Sequence, residues 1–160
     1  MVQVRDLLGH KLVDLQTASQ AAETWRSEGK RVVLTNGCFD LMHPGHVHLL
    51  NKAKSEGDHL IVALNSDPSV RRLKGDARPI QDAVSRALMI ASVKDVDLIT
   101  FFEEDTPAEV IKAIRPDILV KGTDYTAEQV VGAEFVHSYG GRVSLIPLLE
   151  GYSTTKSILR

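Results

Sequence analysis

The stretch Thr35-Asn-Gly-Cys-Phe-Asp-Leu-Met-His-Pro-Gly-His46 decides the fold that we predict for this chain. The apolar run before it, residues 31–34, predicts a buried parallel strand. Leucine-rich sequence follows the stretch, and Pro44 suits the first turn of a helix. We therefore predict a strand, a tight turn and a helix start, with Gly37 adopting backbone angles that a side chain would forbid.

The same stretch predicts an anion site. A helix start offers N–H groups and the positive end of a dipole, and Gly45 would let a ligand approach the backbone closely. His43 and His46 are three residues apart, so we expect their imidazoles to share one helix face and to donate to a phosphate chain. The alternative is one capping histidine and one surface histidine. A zinc site is less favoured, because H-E-x-x-H is absent and no third ligand is evident.

Four more apolar runs alternate with helical patterns along the chain. They predict strands at residues 59–65, 96–101, 117–121 and 142–146, and helices at about 17–29, 44–56, 82–91, 106–115 and 126–140. Residues 66–68 predict the start of a short helix or a loop, residues 69–79 predict a mobile basic surface loop, and residues 153–156 predict the start of a final short helix. The alternation predicts an α/β fold, a Rossmann-like single domain whose five-stranded parallel sheet has its first strand central and helices on both faces.

In such a sheet a ligand binds beyond the carboxyl ends of the strands, at the point where the strand order reverses. We interpret residues 1–16 as a partly ordered lead-in and residues 31–160 as the nucleotide-binding core. A formal charge of −2 argues against a general nucleic-acid binder, so any phosphate site must be local. The single cysteine, the lack of a signal-like start and the lack of a run of ~20 apolar residues predict a cytoplasmic protein.

Residues 43–46 fit the H-x-G-H signature, and the chain thereby resembles the nucleotidyltransferase superfamily. Four further strings resemble one branch of it, the adenylyltransferases of ADP-heptose synthesis; they are residues 62–67, 70–75, 119–125 and 150–155. The resemblance covers about residues 12–160. It implies transfer of AMP from ATP to D-glycero-D-manno-heptose 1-phosphate for a lipopolysaccharide or surface-glycan precursor. It also implies Mg²⁺, a homodimer or higher homo-oligomer, and a separate upstream heptose kinase and phosphatase.

The resemblance also assigns residues to roles. The catalytic residues are expected to be His43, His46 and Lys74. The nucleotide is expected to contact Thr35, Asn36, Gly37, Cys38, Phe39, Gly45, Arg86, Lys121, Gly122, Asp124, Ser153 and Thr154. The second substrate is expected to contact Asp40, Asn65, Asp67 and Arg71. No metal ligand is assigned, because Mg²⁺ would be held mainly by the phosphates.

Several of these residues have a structural alternative. Arg86 could contact phosphate or form a surface ion pair, and Asp124 could bind ribose or Mg²⁺ or cap a turn. Asp40 could lie near the second substrate's phosphate or hold the signature turn. Lys74 could belong to an ordinary solvated loop, and Ser153 could be an ordinary helix cap. Two other functions stay open: a cytidylyltransferase for a polyol phosphate such as glycerol 3-phosphate, and a nucleotide-binding module without turnover.

Overall fold

The computed structural model of the protein describes residues 4–153, with side chains from residue 6 onward. Five parallel strands form one sheet in the order β3-β2-β1-β4-β5; they are β1 Val32–Gly37, β2 His59–Asn65, β3 Leu98–Phe102, β4 Ile118–Gly122 and β5 Arg142–Ile146. The predicted α/β fold with a central first strand is confirmed. The strand order reverses on either side of β1, so the signature stretch follows the strand at the switch point.

Helices cover both faces of the sheet; they are α1 Val4–Leu7, α2 Leu15–Ser27, α3 Pro44–Ser55, α4 Asp67–Lys74, α5 Ala83–Ala91, α6 Ala108–Ile114 and α7 Ala133–Ser138, with a 3₁₀ helix at Ala127–Gln129. Leu50 of α3 and Ile90 of α5 belong to the buried core on one face. Ala22 of α2, Ile111 of α6 and Val136 of α7 belong to the core on the other face. No helix within residues 4–153 is long and apolar enough to cross a membrane.

The basic segment after β2 is more regular than predicted. Residues 69–74 were expected in a mobile loop, but they are helical in α4. Ser66 caps this helix by accepting from the Ser69 N–H over 3.3 Å, and Pro68 fits its first turn. The helix ends where Gly75 adopts a φ of 93°, a conformation suited to glycine. The start of a short helix at residues 66–68 was one of two alternatives, but the body of α4 was predicted as a loop because its charged residues hid two buried ones, Ser69 and Val70.

Three predicted element starts are also wrong. Helix α2 begins at Leu15, because Asp14 rather than Thr17 is its cap, and the Thr17 N–H donates to Asp14 over 2.7 Å. Helix α6 begins at Ala108 without a side-chain cap. The third strand begins at Leu98 instead of residue 96.

The two helices predicted towards the end of the chain have different outcomes. The helix predicted at 126–140 is split into a 3₁₀ turn and α7, because Gly132 between them has a φ of 86°. The final helix predicted from residue 153 extends into residues that lie outside the described part of the chain.

The start of the chain packs beside the sheet. The Ile99 N–H donates to the Lys11 carbonyl over 2.7 Å, and the Val13 N–H donates to the Ile99 carbonyl over 3.0 Å. Leu8 is only 3% exposed and belongs to the core on the α3 and α5 face. Within residues 4–16, the lead-in thus adds a short bridge to the free edge of β3.

Candidate active site

His43 forms the cap of helix α3. The Gly45 N–H donates to its Nδ1 over 3.1 Å, and the His46 N–H donates to its carbonyl over 2.9 Å. Pro44 has no N–H, so the first backbone donors of α3 are already used. The free N–H groups expected here are therefore not available to a ligand. A neutral imidazole that accepts at Nδ1 carries its hydrogen on Nε2. The Nε2–H of His43 is therefore the donor that this helix start offers to a ligand.

Gly45 has a different role from the one predicted. A Cβ at this position would lie 2.9 Å from two atoms of the His43 ring. The missing side chain therefore makes room for the capping imidazole, and not directly for a ligand. Any larger residue here would push His43 away from the helix start.

The two signature histidines are brought together. Their rings stack with centroids 3.8 Å apart and planes 20° from parallel. The Nδ1 atom of His46 is buried without a hydrogen-bond partner among the described residues. Phe39 closes the other side of His46, with ring centroids 5.0 Å apart. The pair is thus a fixed, partly buried group rather than two independent surface side chains.

Burial sets the charge of this pair. It lowers the pKa of His43, and it lowers the pKa of His46 to about 4. The neighbouring His43 lowers the pKa of His46 further, while the nearby Leu41 backbone opposes the shift. Both imidazoles are therefore neutral near pH 7 and can offer N–H donors without a permanent charge.

The tight turn before the histidines takes its shape from Phe39. Phe39 has a φ of 47°, whereas Gly37 ends β1 in the ordinary extended region. The prediction that Gly37 supplies the unusual backbone angle is wrong. Instead, a Cβ on Gly37 would lie 3.0 Å from the Phe39 ring, so the glycine makes room for a buried aromatic side chain. Thr35, one of the expected nucleotide contacts, is buried and donates to the Val120 carbonyl over 3.0 Å.

Asp40 anchors the loop after α4. Its side chain is fully buried and accepts from the backbone N–H groups of Ile80 and Gln81, each over 2.9 Å. The Arg78 guanidinium also pairs with it. Burial opposes ionisation, but these donors outweigh it and lower the pKa of Asp40. The geometry favours the anchoring alternative, and contact with the second substrate stays a prediction.

Arg86 is a completely buried cation. It donates to Asp67 over 2.6 Å, to the Cys38 carbonyl over 2.8 Å and to the Gln81 carbonyl over 3.1 Å. The alternative of a surface ion pair for Arg86 is therefore wrong. Asp67 also accepts from the Ala83 N–H over 3.2 Å. These bonds join the signature turn to α4 and α5, and sequence reasoning missed this structural role.

Lys121 is the last residue but one of β4, which lies beside β1. Its Nζ lies 3.5 Å from the Asn36 carbonyl and 5.9 Å from the centre of the Tyr125 ring. Burial lowers the pKa of Lys121 to about 8, and Asp124 partly offsets this shift. At Gly122 a Cβ would lie 2.7 Å from Leu148, so the glycine lets the chain after β5 pack over the end of β4.

The second-strand residues line the same end of the sheet. Asn65 is 4% exposed, donates to the Ser69 hydroxyl over 3.0 Å and lies 3.7 Å from the Cys38 sulfur. Burial raises the pKa of Cys38, while the nearby charge of Lys74 opposes the shift.

Lys74 is exposed at the last position of α4, and its charge reaches the signature turn. Arg71 is exposed one turn earlier.

The chain after β5 returns to the histidines. The Tyr152 ring lies 6.4 Å from the His43 ring at an angle of 23°, and its Cβ would be 3.5 Å from a side chain at position 45. Sequence reasoning gave Tyr152 no role of its own, although an aromatic residue directly after Gly151 in the string at residues 150–155 was a usable signal. Ser153 follows it, and Thr154 lies outside the described residues.

A groove of about 870 Å³ lies between α3 and α5; Met42, His43, Val47, His48, Met89 and Val93 contribute to its lining. His43 is the only predicted catalytic residue that borders this groove within residues 4–153. Val47 and Met89 expose 47% and 41% of their surface. The groove therefore adjoins the site but does not contain it.

The comparisons with known proteins agree with this geometry. Residues 34–156 match the cytidylyltransferase-like family. The bifunctional protein HldE of Acidiphilium cryptum is 57% identical over 94% of this chain, and that of Gluconobacter oxydans is 56% identical over 92%. This chain spans only about a third of the length of these curated relatives, since the matches cover 31% of each.

Two solved structures are similar as well. A lipopolysaccharide core biosynthesis protein from Thermoplasma volcanium has a TM-score of 0.61 at 30% identity, covering 78% of this chain and 100% of that one. A pantoate-beta-alanine ligase from Francisella tularensis has a TM-score of 0.68 at 16% identity, covering 94% and 73%, which shows a shared fold alone. The resemblance drawn from the five strings is confirmed at the family level. The chain therefore belongs to the cytidylyltransferase-like family and is a nucleotidyltransferase.

Proposed function

We propose that this protein transfers AMP from ATP to D-glycero-D-manno-heptose 1-phosphate, giving ADP-heptose and pyrophosphate. The observation that carries the proposal is the stacked His43 and His46 pair at the start of α3, beside the central strand. Nucleotidyl transfer develops charge on phosphate oxygens, and preorganised donors at that point supply most of the catalysis. The sugar rests on the resemblance of the five strings and on the identity to the HldE proteins over nearly the whole chain.

The proposed reaction needs no protein nucleophile. An oxygen of the sugar 1-phosphate, already ionised near pH 7, attacks the α-phosphorus of ATP, and the bond from that phosphorus to the bridging oxygen breaks. Pyrophosphate leaves with the electron pair, and no proton has to move. His43 donates from Nε2 and His46 lies against it, so the pair stabilises the oxygens of the α-phosphate. Lys74 adds a positive charge beside the turn.

We propose Mg²⁺ as the metal that accompanies ATP. Within the described residues no three histidine, cysteine or acidic side chains come together to hold a metal. Mg²⁺ commonly binds nucleotides mainly through phosphate oxygens, with few ligands from the protein. When bound, the ion would screen the charge of the triphosphate. Asp124, an exposed carboxylate whose charge acts on Lys121, would contact the water shell of the ion.

The proposal extends to the setting of the reaction. We propose that the protein acts in the cytoplasm on a sugar 1-phosphate that a kinase and a phosphatase supply. We also propose a homodimer or higher homo-oligomer, since exposed Val47 and Met89 on the groove between α3 and α5 would gain from coverage. Sedimentation velocity of the purified chain tests this point. A single monomeric species at 100 µM, on the order of the concentrations where weak dimers form, would contradict it.

A substrate panel tests the reaction itself. The purified protein is incubated with Mg²⁺, ATP or CTP, and heptose 1-phosphate of each anomer, glucose 1-phosphate or glycerol 3-phosphate. Pyrophosphate is measured and the nucleotide-sugar is identified by mass spectrometry. We expect ADP-heptose from ATP and one heptose anomer. A product only from CTP and glycerol 3-phosphate would favour the cytidylyltransferase alternative, and ATP-induced thermal stabilisation without any pyrophosphate would favour a binding module.

A further inference from the structure

The His46 imidazole is in contact with two other rings. The His43 ring stacks on it with centroids 3.8 Å apart, and the Phe39 ring lies with its centroid 5.0 Å away and its plane tilted by 56°. His46 stands one turn before Leu50 on α3, and Leu50 packs in the core on that face of the sheet. The imidazole therefore lies on the inner side of the first turn of α3, where the two rings limit how it can rotate.

No hydrogen bond to Nδ1 orients this imidazole within the described part of the chain. A catalytic histidine is usually oriented by a hydrogen bond at the ring nitrogen that does not face the substrate. The Nδ1 atom of His46 is buried and has no such partner among the described residues. The Leu41 backbone is near enough to affect the pKa of the ring, but it makes no hydrogen bond with Nδ1. Packing against the neighbouring rings must therefore keep Nε2 directed toward a ligand.

The two neighbouring rings are themselves held in different ways. His43 is held by a hydrogen bond, since the Gly45 N–H donates to its Nδ1 over 3.1 Å. Phe39 has no polar group in its side chain and is held by packing alone, with only 5% of its surface exposed. A Cβ on Gly37 would lie 3.0 Å from Cε2 and 3.3 Å from Cδ2 of the Phe39 ring. A methyl group at residue 37 would therefore displace this ring and change its contact with His46.

The backbone at Phe39 indicates that its ring has a role. Phe39 has a φ of 47°, in the left-handed region that glycine and asparagine adopt more easily than a bulky residue. Such conformations persist where the surrounding structure holds them, and they are frequent at functional sites. In return for this backbone, the Phe39 ring gains burial in the core and contact with His46.

We propose that Phe39 is a positioning residue for nucleotidyl transfer: its ring, seated against Gly37, holds the His46 imidazole in the orientation in which Nε2–H donates to the transferred phosphate. The inference rests on the proposed function, in which His46 is one of the donors to the α-phosphate. Phe39 contacts no reacting atom in this scheme, and Gly37 acts by leaving room for the Phe39 ring. Because the role is one of orientation, its loss should lower kcat more than it weakens ATP binding.

The first test compares two equally buried phenylalanines. Phe39 and Phe102 are each 5% exposed, but Phe102 ends β3, two strands away from β1, and belongs to the core on the other face. In Phe39→Leu we expect kcat to fall about 10- to 100-fold, the range for a lost supporting contact, while the dissociation constant of ATP, measured by calorimetry, stays within about threefold. Phe102→Leu should lower the melting temperature to a similar extent and keep near-normal kcat.

A double-mutant cycle tests the part of Gly37. Gly37→Ala leaves every side chain of the site in place, and we expect it to lower kcat about tenfold by displacing the Phe39 ring. In the Phe39→Leu background the same substitution should change kcat by less than about twofold, because the ring that it displaces is absent.

Nuclear magnetic resonance gives a measurement that overall stability does not change. Burial lowers the pKa of His46 to about 4 in the folded protein. In Phe39→Leu this pKa should rise toward the ordinary value of 6.5, because water would reach the more loosely packed ring. The Cε1–H resonance of His46, assigned by its absence in His46→Asn, is followed from pH 7.5 to 5. The resonance of His137, an exposed residue of α7, is the internal reference and should be the same in both proteins.

Four results would overturn the inference. A folded Phe39→Leu protein with normal kcat would make Phe39 a core residue only, and so would an unchanged titration of His46. An equal effect of Gly37→Ala in both backgrounds would mean that residue 37 does not act through the Phe39 ring. If Phe39→Leu does not fold, Gly37→Ala decides alone, and a normal kcat in that variant contradicts the positioning role.

The wild-type protein separates this inference from the proposed function. If it forms no nucleotide product with any substrate of the panel, the proposed function fails and the positioning role fails with it. If it is active only with other substrates, the heptose is wrong, and the same variants are measured with those substrates. In an active wild type, the four results above overturn only the role of Phe39.

Discussion

Two sets of polar side chains meet at the carboxyl end of this sheet, and they differ in how their hydrogen bonds are satisfied. Asp40 and Arg86 are buried with several partners each, all from the protein. His46 and Lys121 are also largely removed from water, yet the first has a buried nitrogen without a described partner and the second lacks an ion pair. The first set forms a framework, and the second set forms a site.

Whether a buried polar side chain has its hydrogen bonds satisfied by the protein separates framework residues from site residues, and charge alone does not. A buried ion with all its partners costs little in the folded state but destabilises the fold strongly when one partner is removed. A buried donor without a partner weakens the fold slightly and gains when a ligand arrives. Framework residues should therefore report on stability, and site residues on turnover. The predictions below try to break this division.

The largest expected effect is on the framework. Arg86→Met removes the donors to Asp67, Cys38 and Gln81 and leaves a partly buried carboxylate and two carbonyls without them. We expect the free energy of unfolding to fall by roughly 3–5 kcal/mol, as for other broken buried pairs. Urea denaturation followed by circular dichroism measures it.

Arg72→Met is the matched control for Arg86. The Arg72 side chain is 46% exposed and pairs with Asp105, which is 63% exposed. A surface pair of this kind contributes about 0–1 kcal/mol, so its loss should barely move the urea midpoint. Equal effects of the two substitutions would show that burial does not separate framework from surface pairs here.

The site residues could be predicted from the sequence better than the framework residues. The five parallel strands, the central position of the first strand and the common side of the two histidines followed from apolar runs and from one motif, because strand alternation and helix spacing act locally. The framework did not follow, because Arg86 meets Asp67 and Cys38 through contacts 19 and 48 positions apart in the chain. Asp40 and Arg86 are charged residue types that often bind ligands. Only their burial and their hydrogen-bond partners in the structure assign them to the framework.

The site itself was predicted only where its contacts join residues that are close in the sequence. His43 and His46 lie in one motif, and their contact was predicted from spacing. The space that Gly37 and Gly45 leave for neighbouring rings was not predicted, because the orientations of Phe39 and His43, each two residues away, are not visible in the sequence. Most of helix α4 was predicted as a loop because its apolar face consists of few residues, and a short charged helix has no clear periodicity.

The next largest effect is on turnover. His46→Asn removes one of the donors proposed for the α-phosphate and should lower kcat by about 10²–10³, as for other lost charge-stabilising donors. Stability at pH 7.5 should stay close to wild type, because the lost Nδ1 had no described partner. Steady-state pyrophosphate release measures the change.

His48→Asn is the comparison variant for His46. His48 borders the groove between α3 and α5 and takes no part in the proposed chemistry. It should keep near-normal kcat. A His46→Asn protein that is folded and fully active would remove the histidine pair from the mechanism.

The third prediction concerns pH. Burial lowers the pKa of His46 to about 4 in the folded protein, against an ordinary value of 6.5. Above pH 6.5 the ring is neutral in both states; between pH 6.5 and 4 the unfolded chain binds a proton that the folded protein does not. Stability must therefore fall as pH falls through this window, by on the order of 3 kcal/mol at pH 4.

The variant His46→Asn isolates this contribution. Acidic groups with lowered pKa values, such as Asp40, also lose stabilisation at low pH, but they do so in both proteins. The difference in unfolding free energy between wild type and variant, measured in urea at pH 7.5, 6 and 5, should therefore change in favour of the variant as pH falls. A constant difference would mean that His46 is protonated as easily in the fold as in the unfolded chain.

The smallest expected effect is at the rim of the site. Lys74 is exposed at the last position of α4, so its charge interacts with the bound phosphates through water and is partly screened. We expect Lys74→Met to lower kcat/KM about tenfold and to leave the melting temperature within about 1 °C. Lys52→Met, in the last turn of α3, removes the same charge from a helix end without facing the site. If the two substitutions change kcat/KM equally, the effect is that of net charge. If Lys74→Met instead lowers the melting temperature, Lys74 belongs to the framework, and the division of residues by burial fails at this position.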